Sequence, residues 1–138
     1  MFIPPPIPLN DSWTVEYVEQ SPADLARAAS GQIVPTLRVF SRKRRADSGR
    51  MAWLTRTFDV PPMMDICLRF DLHLTAAASW TVLYLNGQRL GEVGGGQPFV
   101  LDVTDVIMLD DNLIGLLVDG ASEDAFGDLF LKAEPCGT

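Results

Sequence analysis

At 138 residues the chain is long enough to close one hydrophobic core, and 47% apolar with 21% charged residues is an ordinary globular composition. The net charge of −7 argues against a nucleic-acid partner, because phosphate contacts need cations. No apolar run approaches the roughly 20 residues that span a bilayer, so no membrane association is expected. The proline-rich arm over residues 1–8 carries no positive charge and does not read as a secretory leader. Taken as a complete product, the chain is expected to be soluble and cytoplasmic.

In chain order, Trp13-Thr14-Val15-Glu16-Tyr17-Val18 alternates and reads as a first strand. Ser21-Pro22-Ala23-Asp24 has the cap and first-turn proline of a helix start, predicting a short helix through Ala29 that stops at Ser30-Gly31. A strand is expected over 36–40, then a basic loop over 41–50 containing Arg42-Lys43-Arg44-Arg45. Seven of the eleven basic residues fall between Arg38 and Arg56, and eight acidic residues between Asp102 and Asp128. The bland reading is a solvated loop. The functional one is a pair of opposite patches that meet a protein partner or a second copy.

Trp53 to Phe58 reads as a strand, stopped by Pro61-Pro62. Asp65 to Leu74 places Ile66, Leu68, Phe70, Leu72 and Leu74 at alternate positions, a half-buried strand with His73 on its polar side. Ser79 to Leu85 and Gln88 to Val93 flank Asn86-Gly87, a strong hairpin signal. Gly94-Gly95-Gly96 breaks the ribbon before Pro98 to Leu101, and Asp102 to Ile107 reads as a strand end entering one helical turn. Leu113 to Val118 and Phe126 to Ala133 supply the closing strands, with a tail over 134–138. About eight to nine strands and one short helix imply an all-β, antiparallel β-sandwich of jelly-roll type in a single domain over 1–138.

The ordered pieces Trp53 to Phe58, Val60-Pro61, Leu68-Arg69-Phe70 and Val82-Leu83-Tyr84-Leu85-Asn86-Gly87 share a pattern with Leu90-Gly91, Gly94 to Phe99, Asp102-Val103-Thr104 and Asn112-Leu113. Together with Leu9-Asn10-Asp11-Ser12-Trp13, they resemble the sugar-binding, galactose-binding-like jelly-roll domain at the N-terminus of glycoside hydrolase family 2 enzymes, such as β-galactosidases and β-glucuronidases. The resemblance covers roughly two thirds of the chain. It implies a carbohydrate-binding accessory domain standing without the catalytic barrel. Ala125 to Phe130 departs from the Gly-Ile-Tyr-Arg-like segment that usually ends that domain, and hydrolase activity does not carry over.

Chemistry sought in the residues themselves gives the same expectation of a non-catalytic module. Glycoside cleavage needs two carboxylates held across the sugar, and no motif marks such a pair among eighteen acids. The sole histidine, His73, cannot build a zinc site or a triad alone. Asp102, Asp105, Asp110, Asp111 and Asn112 offer oxygens that calcium could take, but the spacing is not that of an EF-hand and strand-end capping is the ordinary role, so no cofactor is expected. Sugar binding needs an aromatic platform with polar neighbours. The candidates are Trp53, Trp80 and Tyr84 for stacking, with Arg56, Asn86 and Gln97 for hydrogen bonds. The competing role for each aromatic is simple packing, and for the module as a whole a protein-interaction or structural one with self-association. Cys67 reads as a small core residue and Cys136 as part of a fraying tail, in keeping with a reducing compartment; the sequence leaves their pairing open.

Overall fold

A computed structural model describes residues 5–18, 26–37, 51–60, 67–77, 80–118 and 126–136. The basic loop over 41–50, the expected helix start over 21–24 and the proline stop at 61–62 lie outside the described residues. The strands are β1 (Ile7–Pro8), β2 (Asp11–Val18), β3 (Gln32–Thr36), β4 (Met51–Phe58), β5 (Leu68–Leu74), β6 (Thr81–Leu85), β7 (Gln88–Val93), β8 (Phe99–Asp102), β9 (Asn112–Val118) and β10 (Leu129–Pro135). They form a four-stranded sheet in the order β1-β10-β5-β8 and a six-stranded sheet in the order β3-β2-β4-β9-β6-β7, with every strand pairing antiparallel. The expected β-sandwich is what the chain forms. No described helix is long and apolar enough to cross a membrane.

Period-2 patterning explains β5, where Leu68, Phe70, Leu72 and Leu74 turn into the core while Arg69 and His73 face outward. The core between the sheets gathers these side chains with Leu54, Leu83, Leu85, Leu116 and Leu131. Each fully buried leucine stabilises the sandwich by about 1.5–3 kcal/mol before entropy is charged against it. In β6 the alternation disappears, because all five residues are buried. The reason is a second, smaller core on the outer face of the large sheet, made by Ala29, Trp53, Val82, Tyr84 and Leu117.

That outer core is roofed by residues 26–30. The sequence predicts a helix running to Ala29; instead residues 26–30 form a turn followed by irregular chain. Polar contacts hold this strap where a helix ladder would have spent its backbone groups. Glu16 accepts from Arg27 at 3.0 and 3.2 Å, from the Ser30 amide at 2.9 Å and from the Ser30 hydroxyl at 3.2 Å. The Ala29 amide donates to Thr55 Oγ1 at 2.8 Å, and Trp53 Nε1 donates to the Arg27 carbonyl at 3.1 Å. The Arg27 guanidinium and the Ser30 amide lower the Glu16 pKa to about 2.

Two other expectations shift. The third described strand runs over Gln32–Thr36 and includes Pro35, while residues 38–40 of the strand expected over 36–40 lie outside the described residues. It pairs only with β2, at the edge of the sheet, where a residue without an N–H costs no ladder bond. Within the proline-rich arm, Ile7 and Pro8 pair with Leu131 and Phe130. The Asn86-Gly87 hairpin forms as expected, with φ of 54° and 84° supplying the twist that a two-residue turn needs.

Candidate functional site

The residues expected to stack a sugar do not meet in one place. Trp53 is fully buried in the outer core, and Tyr84 packs against it edge to face with ring centroids 5.7 Å apart. Tyr84 alternates with Leu83 and Leu85, which enter the main core, so its ring turns to the other face of the sheet. The strap then covers them, so neither ring offers an open face. Trp80 is 39% exposed at the start of β6, and its Nε1 donates to Glu92 Oε2 at 3.0 Å beside Arg89.

The polar candidates mostly serve the backbone. Arg56 donates to the Asp11 carbonyl at 2.9 Å, to Asp11 Oδ1 at 3.0 Å and to the Thr57 carbonyl at 3.2 Å. Asn86 donates to the Val106 carbonyl at 3.0 Å and to Asn112 Oδ1 at 3.1 Å, and accepts from the Leu113 amide at 2.8 Å. Buried Asn112 extends that network to the Phe58 carbonyl and to both backbone groups of Met108. These bonds pin the hairpin to the loop after β8. Gln97 is exposed in the turn that docks on Ala77. Asp102 has the capping role expected of it, accepting from the Thr104 amide at 2.9 Å and hydroxyl at 2.6 Å, bonds that lower its pKa. Among the described residues no three His, Cys, Asp or Glu side chains converge as a metal would require.

The structure assembles a different concavity, which sequence reasoning missed. An open cleft of about 350 Å³ is lined by Pro6, Pro8, Asn10, Asp128 and Phe130. Cross-strand register places Pro8, Phe130, His73 and Val100 in one row on the outer face of the four-stranded sheet. The His73 and Phe130 rings lie parallel, 5° apart in plane and 4.9 Å between centroids, so the imidazole braces the phenyl wall. Next to this row lie Lys132, Asp71 and Asp102, then Glu134 and Arg69, joined by Arg69–Glu134, Arg69–Asp71 and Lys132–Glu134 ion pairs. Asn10 anchors the cleft's rim, its Oδ1 accepting from the Leu129 amide at 2.8 Å. A signal was present in β10: Leu129, Leu131 and Ala133 alternate inward, which leaves Phe130 as a large apolar residue at an outward position.

The cysteines correct the earlier reading. Cys67 is exposed rather than buried, and it forms a disulfide with Cys136 across a Cα–Cα distance of 5.4 Å. Because β5 and β10 are neighbours, the residues flanking their paired ends are brought within bonding reach.

Searches by sequence return no matching family model and no matching curated protein. Comparison with solved structures does return matches. The β-glucuronidase of Bifidobacterium dentium, solved with coumarin-3-O-glucuronide, superposes with a TM-score of 0.78 at 20% identity over 94% of this chain and 30% of that one. This chain has the fold of one part of a β-glucuronidase. The β-glucuronidase of Faecalibacterium prausnitzii gives 0.76 at 14% identity over 95% of this chain and 31% of that one. That of Bacteroides uniformis gives 0.69 at 22% over 95% of this chain and 18% of that one. The resemblance to glycoside hydrolase family 2 read from the sequence therefore holds at the level of fold, and the chain spans less than a third of the length of these enzymes.

Proposed function

We propose that this sandwich is a non-catalytic carbohydrate-binding module whose main contact surface is the Phe130 cleft. The observation that carries the reading is the cleft's construction: a braced aromatic ring and two pyrrolidine rings beside an amide and a carboxylate. A pyranose has the matching character, an apolar ring face with a polar rim, and the volume of about 350 Å³ lies within the usual range of small-molecule sites. Asp128 is the one carboxylate among the lining residues, whereas cleavage of a glycosidic bond needs two at a defined separation. Trp80, with Glu92 and Arg89, is the second contact surface in this reading, since its indole is the candidate ring that remains exposed.

A glycan array followed by titration calorimetry tests the assignment. Phe130→Ala should weaken binding about tenfold, the loss of one aromatic contact of roughly 1.4 kcal/mol, with the fold checked by circular dichroism. Loss in Trp80→Ala but not in Phe130→Ala would move the site to the edge of β6. Wild-type protein that binds no glycan would reject the module reading. The second reading, a protein-interaction domain, is favoured by Met108 and Leu109, which stand 47% and 60% exposed on a loop braced by Asn112. Light scattering that shows a concentration-dependent mass would support it.

A further inference from the structure

We propose that the Cys67–Cys136 disulfide is a solvent-accessible clasp through which thiol redox conditions set the order of the second half of β10. The inference is independent of what the cleft binds. β1 covers β10 only at Leu131 and Phe130. From Lys132 to Pro135, the described ladder joins β10 to β5 alone, through the pairs from Lys132↔Asp71 to Pro135↔Leu68. In that half, Ala133 is the buried apolar side chain, while Lys132 and Glu134 make ion pairs at the surface. Exposed ion pairs hold little in water, and a strand segment paired on one side with little buried apolar surface opens readily unless tied down. The tie here is the disulfide, placed one residue beyond the last ladder pair and supported by a single Cys136 N–H to Cys67 carbonyl bond of 3.1 Å.

The clasp is reachable, since Cys67 is exposed and Cys136 half-exposed. A dithiol reductant would open it by ordinary exchange. Its thiolate attacks one sulfur and forms a mixed disulfide, expelling the other sulfur as a thiolate that takes up a proton. The reductant's second thiolate then displaces the remaining cysteine, which is also protonated. One S–S bond is lost from the protein, two S–H bonds are gained, and the reductant leaves as its own disulfide. Disulfides of this kind persist in oxidising compartments and open in reducing ones, so the compartment decides which form of β10 exists.

The test uses the full chain under native conditions, with and without dithiothreitol, followed by alkylation and intact mass, then hydrogen exchange with mass spectrometry. The reduced protein should take up two alkyl groups without denaturant, and the unreduced protein none. Exchange should accelerate about tenfold or more in peptides covering 132–136 and 67–70, while β6 and β9 stay protected. The Cys67→Ser/Cys136→Ser protein should show the accelerated pattern without reductant; if that protein does not fold, the wild-type pair of measurements decides. Free thiols before reduction, opening only in denaturant, or opening with unchanged exchange would each overturn the proposal.

Discussion

Gly115→Ala offers a sharp test of the outer core, because the sign of its effect is decided by one contact. Gly115 lies in β9 between Thr55 of β4 and Tyr84 of β6, under the Trp53 ring. A Cβ built there would sit 2.3 Å from Trp53 Cη2 and 2.9 Å from Cζ2 and Cζ3. Carbon atoms rest at about 3.5–4.0 Å, so the indole must retreat by at least about 1.2 Å. It has nowhere to go: the ring is fully buried, abuts Tyr84 and is tied by its N–H to the Arg27 carbonyl. Overpacking costs about 1–3 kcal/mol, and losing the indole hydrogen bond adds about 0.5–1.5 kcal/mol. Against this stands the gain of about 0.4–1 kcal/mol that alanine brings by restricting the unfolded chain. The net expectation is a loss of about 0.5–4 kcal/mol, read as a lower urea midpoint by circular dichroism at unchanged slope. Combining it with Trp53→Phe, which shortens the ring, should cost less than the sum of the two single changes. A Gly115→Ala protein as stable as wild type, or more so, would refute this account of the outer face.

Asn112→Ala should cost about 3 kcal/mol in the same assay, since it strips partners from Asn86, Phe58 and both backbone groups of Met108 in a buried site. Removing the disulfide by Cys67→Ser/Cys136→Ser opens a closed loop whose ends are 69 residues apart in sequence, for which chain entropy gives about 4 kcal/mol; a midpoint matching the oxidised wild type would show that the bond contributes nothing. Glu16 has its folded pKa depressed to about 2 from 4.5, so its contribution is present above pH 4.5 and is lost as pH falls toward 2. Stability measured across that window should therefore fall less steeply in Glu16→Gln than in wild type, and an identical slope would remove Glu16 from its place as the anchor of the strap.

The candidate site was far less legible in the sequence than the scaffold. Trp53 and Tyr84 carry the residue type of a binding platform. What covers them is a strap whose hold depends on Glu16 and Thr55, distant in sequence from Arg27 and Ala29. Arg56 and Asn86 look like ligand-binding groups, yet Arg56 Nη1 goes to Asp11 and the Asn86 amide to Val106 and Asn112, contacts that no local pattern announces. Phe130 was visible as an apolar residue out of phase in β10, but Pro6, Pro8 and Asn10 join it from the other end of the chain.

By itself, the sequence determined the all-β class, the Asn86-Gly87 turn and the inward face of β5, because alternation and turn chemistry are properties of neighbouring residues. It also carried enough ordered fragments to resemble one fold. Only the tertiary structure decided which aromatic rings are covered, where a concave surface lies and that Cys67 meets Cys136. The covering of the rings depends on the strap's bonds to Glu16 and Thr55, and the other two outcomes on pairing between β1, β10 and β5, which brings Asn10 and Leu129 together across 119 residues. Contacts at that separation are set by how strands order themselves in a sheet, a choice made by the whole core at once rather than by any segment of it.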